Sequence, residues 1–169
     1  MTEALDSQLR DTLRDLRLVI LDVDGVLTDG RFTLDNAGHE TKTFHTQDGY
    51  GIRRLIDAGI VVAIITGRRS GAVEHRAREL GISPVIQGAR DKAAAIRELL
   101  AETGIQCEHA LAVGDDIPDL AMFEAVATAV AVANAVPEIK KRAHYVTQRS
   151  GGAGAVREIA DLIVKSRSD

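Results

Sequence analysis

Two aspartates that directly follow a short apolar segment are the first residues in the chain that could do chemistry. Residues 18–30 read LVILDVDGVLTDG, and the run from Leu18 to Leu21 is typical of a strand buried on both faces. Asp22 and Asp24 stand at its carboxyl end, where open α/β sheets bind ligands. Carboxylates there are costly unless a cation or hydrogen-bond donors receive them. The pair therefore indicates a ligand site, or else an aspartate-rich turn that caps the next segment.

More polar residues follow the later apolar segments in the same way. Each lies just after a predicted strand or at the start of the helix that follows one: Thr66, Lys92, Asp115, Asp116 and Asp119. Because the carboxyl ends of parallel strands share one edge of a sheet, we expect these groups to meet Asp22 and Asp24 there. Five carboxylates, a hydroxyl and an ammonium group then converge.

The types of these side chains favour phosphoryl transfer. Closely packed carboxylates repel one another and take up protons unless a cation lies among them. Hard oxygen ligands with open positions suit Mg²⁺, whereas the longer loop of a calcium site is missing. Thr66 and Lys92 suit a bound phosphate, which accepts hydrogen bonds from a hydroxyl and pairs with a point charge. An aspartate is a workable nucleophile toward phosphorus, and a second carboxylate can move the protons.

The elements that must position these residues alternate between strand and helix at short spacing. This pattern predicts a single α/β domain over residues 1–169, a Rossmann-like parallel sheet with helices on both faces. A leucine stripe that begins at Leu5 predicts an amphipathic helix over Glu3–Asp15. Asp91 caps a predicted helix that carries Lys92 in its first turn.

Two further segments bear on the site. Residues 31–44 alternate around a turn at 35–38 and predict a β-hairpin, either a flap over the aspartates or an ordinary surface hairpin. We expect Asp48 or Thr46 to cap the helix that follows. The glycine-rich residues 150–154 predict a flexible joint into a C-terminal helix, so residues 150–169 form the tail of the domain.

The bulk composition narrows the classes of partner. Aromatic residues make up 3% of the 169 residues, and the formal net charge is −4 with acids and bases interspersed. A nucleic-acid-binding protein needs a clustered basic face, so we expect no nucleic-acid partner. The N-terminus carries acids without an apolar leader, and no run approaches the ~18 apolar residues of a membrane-spanning helix. With Cys107 as the lone cysteine, these features predict a cytoplasmic protein without a membrane partner.

Four motifs in order carry a resemblance to a known superfamily. They are Asp22-Val23-Asp24-Gly25, Thr66-Gly67, Lys92 and Gly114-Asp115-Asp116. Their order and spacing run over essentially the whole chain and resemble those of haloacid-dehalogenase superfamily phosphatases. The resemblance implies a Mg²⁺-dependent phosphomonoester hydrolase that works through an aspartyl-phosphate intermediate.

The same resemblance assigns roles by position. It implies that Asp22 is the nucleophile and a metal ligand, and that Asp24 is the acid/base and lends its backbone carbonyl to the metal. Thr66 and Lys92 then hold the phosphoryl group, and Asp115 is the third metal ligand. The residue that orients the lysine or metal-bound water is left open between two acids: Asp116 and Asp119.

A predicted hairpin of about fifteen residues is too small to be a cap domain that seals a pocket. The chain is similar in this to the capless 3-deoxy-D-manno-octulosonate 8-phosphate phosphatases. The matching stretches are Thr28-Asp29-Gly30, Phe44-His45, residues 48–53, residues 65–68, Gly151-Gly152 and residues 154–158. The resemblance implies a homotetramer whose flaps assemble into a central barrel, with sites shared between subunits and the glycine-rich tail reaching a neighbour.

The resemblance also implies a sugar-acid phosphate substrate and a set of contacts to it. These substrate-binding residues are Asp24, His45, Thr46, Gln47, Asp48, Gly49, Arg53, Arg68 and Lys92. An arginine fork suits the carboxylate of such a substrate.

Two alternatives remain open from sequence. Related capless enzymes act on nine-carbon, sialic-type acid 9-phosphates, although residues 48–53 favour the eight-carbon acid. A phosphorylation-switched receiver module also combines acids, Mg²⁺, threonine and lysine on an α/β sheet. Its acidic pair follows the first strand, however, whereas here the DxD motif follows the first strand and Asp115-Asp116 the fourth.

Overall fold

The core of the computed structural model, which describes residues 7–168, is a parallel sheet of six strands. The strands are β1 (Leu18–Leu21), β2 (Thr33–Leu34), β3 (Glu40–Thr41), β4 (Val61–Thr66), β5 (Val85–Gln87), β6 (Ala110–Gly114), β7 (Thr128–Ala131) and β8 (Tyr145–Val146). The strand order in the parallel sheet is β5-β4-β1-β6-β7-β8, and a separate antiparallel pair, β2 and β3, forms the hairpin. The predicted hairpin within residues 31–44 is present.

Helices connect the parallel strands. They are α1 (Ser7–Arg14), α2 (Thr46–Asp57), α3 (Gly71–Leu80), α4 (Lys92–Thr103), α5 (Leu120–Ala125), α6 (Pro137–Arg142) and α7 (Ala155–Ser166). From β1 the chain moves outward to β5 through α2 and α3, then crosses back to β6 through α4 and continues through α5 and α6. Right-handed crossovers in opposite directions place these helix groups on opposite faces. The predicted Rossmann-like fold is confirmed.

The central strand is β1, which lies between β4 and β6 in register. All four of its residues are fully buried, as the apolar run predicts. Leu21 pairs with Ile64 on one side and Val113 on the other. The residues that follow β1 and β6 therefore emerge side by side at one edge of the sheet.

Helix boundaries follow the predicted caps with one correction. Asp91 caps α4 by accepting a hydrogen bond from the Ala94 backbone N–H at 2.9 Å. The cap of α2 is His45, not Asp48 or Thr46, because the His45 Nδ1 accepts from the Gln47 backbone N–H at 3.2 Å. In the N-terminal helix predicted over Glu3–Asp15, the part from Ser7 to Arg14 is helical, Asp15 lies in a turn, and Leu5 lies outside the described residues.

The C-terminal helix belongs to the core. Its buried apolar side chains are Ala155, Val156, Ile159, Ala160 and Ile163, and the helix packs along α2. A chain cut after Ser150 therefore loses part of its core as well as any contact that the tail makes with substrate. Truncation at that point cannot separate a catalytic from a structural role of the tail.

Within residues 7–168, the helices are all too short or too polar to cross a bilayer.

Candidate active site

Three carboxylates meet at the carboxyl edge of β1 and β6. Oxygen atoms of Asp22, Asp115 and Asp119 all lie within 4.8 Å of one another. Asp22 directly follows β1, Asp115 directly follows β6, and Asp119 ends the 3₁₀ turn Ile117–Asp119 beyond it. This group has the donor type and spacing to hold a hard divalent cation.

Lys92 enters this cluster from the first turn of α4. Its Nζ donates to Asp22 Oδ1 at 2.9 Å and to Asp119 Oδ1 at 2.5 Å, and the residue is 7% exposed. The ammonium group therefore neutralises part of the negative charge on two buried acids. It also occupies a position from which it can bind a phosphoryl oxygen beside Asp22.

The two acids after Asp115 have different partners. Asp119 is buried, and its Oδ2 accepts from the backbone N–H groups of Asp115 at 2.9 Å and Asp116 at 3.3 Å. Asp116 is exposed and caps the 3₁₀ turn by accepting from the Ile117 N–H at 2.8 Å. Asp119 is thus the acid that contacts Lys92, which sequence left open between the two.

The cluster perturbs its own acid–base equilibria. Burial, then Asp119, raises the pKa of Asp22 from 3.8 to about 6, although Lys92 opposes the shift. Burial, then Asp119 and Asp22, raises the pKa of Asp115 from 3.8 to about 7. Burial alone would lower the pKa of Lys92, but Asp22 and Asp119 outweigh it and raise that pKa. The acids thus favour a bound proton or cation.

We expect this preference to appear as a pH-dependent stabilisation by Mg²⁺. Because both raised carboxyl pKa values lie above 3.8, the folded chain binds more protons than the unfolded chain between roughly pH 4 and 7. The stability contributed by these groups therefore falls as pH rises through that window. Mg²⁺ replaces the lost protons, so its effect on the melting temperature should be larger at about pH 8 than at about pH 5.

Differential scanning calorimetry with and without Mg²⁺ at both pH values measures this effect. The variant Asp57→Asn, which alters an exposed acid of α2, should keep the same dependence. A Mg²⁺ shift that is equal at the two pH values, or absent at both, would contradict the assignment of the cluster.

Asp24 points to a different set of groups from Asp22. Its Oδ1 accepts a short hydrogen bond from the Lys42 Nζ, and its Oδ2 lies 3.9 Å from the Arg68 Nε. The side chain is thus directed at the flap, and its carboxylate is not among the three acids that gather around Lys92. This leaves the Asp24 backbone carbonyl as its predicted contribution to a metal site.

Thr66 and Arg68 stand at the same edge. Thr66 is the last residue of β4, next to β1, and is 3% exposed. Arg68 follows two residues later and donates to Glu40 Oε2 at 2.6 Å. Thr66 and Arg68 therefore stand at the sheet edge where Asp22 and Asp24 emerge.

Other predicted substrate contacts lie along the first turns of α2. His45 caps that helix, and Thr46 and Gln47 are exposed beside it. The Gln47 Oε1 accepts from the Arg149 Nη1 at 3.0 Å. Arg53 lies further along α2, where it donates to the Leu80 backbone carbonyl at 3.1 Å, and it does not join the acid cluster.

Asp48 and Gly49 are buried in the same turn. The Asp48 carboxylate accepts from the backbone N–H groups of Gly154 at 3.2 Å and Arg157 at 2.8 Å. It thereby caps the N-terminus of α7 from another helix, where Gly154 has no side chain to do so. Direct contact of Asp48 with substrate would compete with this capping role.

The glycine-rich joint packs behind the loop that carries the aspartates. A side chain at Gly151 would place its Cβ 1.8 Å from the Gly25 carbonyl oxygen. The Gly151 N–H donates to Asn134 Oδ1 at 2.6 Å, and the Asn134 Nδ2 donates to the Gly25 carbonyl at 3.1 Å. The resemblance implies that this joint reaches a neighbouring subunit; within the chain, the joint packs against the loop that follows Asp22 and Asp24.

Gly151→Ala is therefore expected to lower stability by about 1–3 kcal/mol, the usual range for overpacking, and to reduce activity with it. The physical reason is that the added Cβ would clash with the backbone carbonyl of Gly25, and a change of side-chain rotamer cannot relieve that contact. Thermal melting and phosphate release measure the two effects. Gly71→Ala is the matched control because a Cβ there meets no atom within 4 Å. Equal behaviour of both variants would contradict close packing at Gly151.

The fold and the site together define a class, that of the haloacid dehalogenase-like hydrolases, whose family model matches residues 85–159. The 3-deoxy-D-manno-octulosonate 8-phosphate phosphatase KdsC of Yersinia pestis is 50% identical over 150 residues, which cover 89% of this chain and 80% of that protein. The chain therefore belongs to the 3-deoxy-D-manno-octulosonate 8-phosphate phosphatase family, as its motifs predict.

Solved structures agree with this membership. The phosphatase of Moraxella catarrhalis, in complex with magnesium, phosphate and KDO, is 40% identical with a TM-score of 0.93, and the match covers 95% of this chain and 92% of that one. The cobalt-bound phosphatase of Haemophilus influenzae is 39% identical with a TM-score of 0.90, covering 93% and 92% of the two chains.

Three contributors to the site region were missed by sequence reasoning. Lys42 and Glu40 reach Asp24 and Arg68 from the hairpin, and Asn134 links the catalytic loop to the joint. An alternating hairpin pattern gives no sign of which polar residues face the body of the protein. These residues are also far in sequence from their partners, so a local sequence pattern cannot predict the contacts.

Proposed function

We propose that this chain is a Mg²⁺-dependent phosphatase that hydrolyses 3-deoxy-D-manno-octulosonate 8-phosphate. The observation that carries the proposal is the buried Lys92, which joins Asp22 to Asp119 beside Asp115 at the end of the central strand. This arrangement offers one nucleophile, one cation and a set of metal ligands within reach of a single phosphate. The substrate follows from the names of relatives that match most of the chain.

In the first step, a carboxylate oxygen of Asp22 forms a bond to phosphorus. The bond between phosphorus and the sugar oxygen breaks, its electron pair stays on that oxygen, and Asp24 supplies the proton that makes the alcohol. Lys92 and Thr66 bind the equatorial phosphoryl oxygens and stabilise their charge. The product of this step is an aspartyl phosphate on Asp22.

In the second step, water attacks phosphorus while Asp24 takes its proton. The bond between phosphorus and Asp22 then breaks, which restores the carboxylate and gives inorganic phosphate. A Mg²⁺ ion held by the carboxylates of Asp22 and Asp115 and the backbone carbonyl of Asp24 would supply positive charge to the phosphoryl group.

Binding of the sugar acid is proposed to use groups around the rim of the site. Arg68 lies beside Asp24 and carries a fork that suits a carboxylate. The residues at the start of α2 are proposed to bind the hydroxyl groups of the sugar: the partly buried His45 and the exposed Thr46 and Gln47. Asp48, Gly49 and Arg53 stay in the proposed set, although Asp48 and Arg53 already have partners within the chain.

A phosphate-release assay with several substrates tests the proposal. We expect the kcat/KM for 3-deoxy-D-manno-octulosonate 8-phosphate to exceed that for a nine-carbon sugar-acid 9-phosphate by about tenfold or more, the scale of one favourable contact. Chelation of Mg²⁺ should remove the activity. The reverse order of substrates would favour the nine-carbon alternative. Stoichiometric phosphorylation without turnover would favour a receiver-like module.

We further propose a cytoplasmic homotetramer with sites shared between subunits. The hairpin exposes Phe32 at 45% and Leu34 at 55%, which leaves apolar side chains for contact with other flaps. The single cysteine, Cys107, suits a reducing compartment. Light scattering coupled to size exclusion measures the assembly, and a monomeric mass for the active enzyme would contradict shared sites.

A further inference from the structure

The hairpin has one side chain that behaves unlike the others. Most residues from Arg31 to Thr43 are exposed, but the side chain of Lys42 is fully buried and that of Glu40 is 16% exposed. A buried ammonium group is unfavourable unless anions receive it. Lys42 is thus held in place and is not a solvated residue on a mobile loop.

The partners of Lys42 connect the hairpin to the catalytic loop. Its Nζ donates to Asp24 Oδ1 and lies 3.3 Å from Glu40 Oε1. Glu40 also accepts from Arg68 at 2.6 Å through its other oxygen. The guanidinium carbon of Arg68 in turn stacks 4.2 Å above the centroid of the Phe32 ring. Lys42 of the hairpin and Arg68 after β4 therefore both lie beside Asp24, and Glu40 connects the two.

This geometry divides the two oxygens of Asp24. Lys42 holds Oδ1, whereas Oδ2 lies 3.9 Å from the Arg68 Nε, beyond hydrogen-bond distance. A carboxylate that is fixed at one oxygen has a defined orientation at the other. The oxygen Oδ2 is then the one presented for proton transfer.

We infer that Lys42 is a positioning residue for Asp24, held in turn by Glu40, and that the flap thereby takes part in the reaction. The inference rests on the proposed function, in which Asp24 gives a proton to the departing sugar oxygen as the bond to phosphorus breaks. The flap contributes a hydrogen bond from Lys42 that orients the carboxyl group of Asp24, in addition to any role in covering the site.

The inference makes a prediction that depends on the leaving group. An alkoxide needs a proton in order to leave, whereas 4-nitrophenolate leaves as a stable anion. Loss of the orientation of Asp24 therefore slows formation of the aspartyl phosphate from a sugar phosphate more than from 4-nitrophenyl phosphate. General acid catalysis contributes about 10²–10⁴-fold to such reactions, and we expect Lys42→Met to lose about 10–100-fold of it.

The experiment compares kcat/KM, which reports the steps up to departure of the alcohol or phenol, for 3-deoxy-D-manno-octulosonate 8-phosphate and 4-nitrophenyl phosphate in three proteins: wild type, Lys42→Met and Glu40→Gln. We expect Lys42→Met to lose about 10–100-fold with the sugar phosphate and less than about 3-fold with the aryl ester. Glu40→Gln should show the same selectivity with a smaller loss. Lys141→Met, at an exposed lysine of α6, is the matched control and should change neither rate.

The outcomes separate the inference from the function on which it rests. Equal losses on both substrates, or no loss on either, would overturn the role of Lys42 while the wild-type activity stands. A wild-type enzyme without activity toward the sugar phosphate would instead refute the proposed function. Thermal melting with Mg²⁺ checks that each variant is folded, and a folded Glu40→Gln keeps the test decisive if Lys42→Met does not fold.

Discussion

Asp22→Asn is expected to abolish turnover, with a fall in kcat of about 10⁴-fold or more, because an amide cannot replace the carboxylate that attacks phosphorus. The same substitution should leave the fold intact. In the metal-free protein, burial and Asp119 raise the pKa of Asp22 to about 6, so its ionised form is less favourable in the folded chain than in the unfolded one. A neutral asparagine removes that penalty.

The expected pattern is therefore an inactive protein whose metal-free melting temperature at about pH 8 equals or exceeds that of the wild type. Phosphate release and calorimetry measure the two quantities on the same samples. Asp57→Asn, at an exposed position of α2, should change neither. Substantial turnover by a homogeneous Asp22→Asn preparation would show that another group is the nucleophile.

Lys92→Met is expected to have the second largest effect, and it should reduce both activity and stability. The ammonium group is within 2.9 Å of Asp22 and 2.5 Å of Asp119, and all three residues are buried. Removing one partner of a buried ion pair leaves uncompensated charge and costs about 3–5 kcal/mol. Loss of the cation that binds the phosphoryl group should lower kcat by about 10²–10³-fold.

The pH dependence of that destabilisation identifies its cause. Without Lys92, the remaining acids take up protons more readily, so the loss of stability should be smaller at about pH 5 than at about pH 8. Unfolding by denaturant at both pH values measures it. The control is Lys141→Met, on the exposed face of α6. A destabilisation that is the same at both pH values would indicate lost packing and not lost charge.

Sequence reasoning performed best where the signal is local. The apolar run of β1 and the Asp91 cap of α4 both follow from a few neighbouring residues, and the structure agrees with each. The convergence of Asp22, Lys92 and Asp115 could also be predicted, because parallel strands end at a common edge. With that rule, the positions of polar residues after successive strands in the sequence predict which side chains lie close together in the fold.

Predictions from sequence were least accurate where the partner of a side chain lies far away in the chain. Asp48 is a predicted cap of α2, yet its carboxylate caps α7, more than a hundred residues away. Gly151 was expected to form a flexible joint, yet it packs against the Gly25 carbonyl. Both choices depend on how helices pack on the sheet, which local patterns do not contain.

By itself, the sequence determined the alternation of strands and helices, the placement of Asp22 and Asp24 at a strand end, and the edge of the sheet where the acids and Lys92 meet. The tertiary structure decided that Asp119, and not Asp116, contacts Lys92, and that Lys42 holds Asp24. The physical reason is that the two kinds of feature depend on interactions of different range along the chain. Backbone periodicity is set by neighbours in the chain, whereas the pairing of charges depends on a few ångströms of distance that only the packed molecule defines.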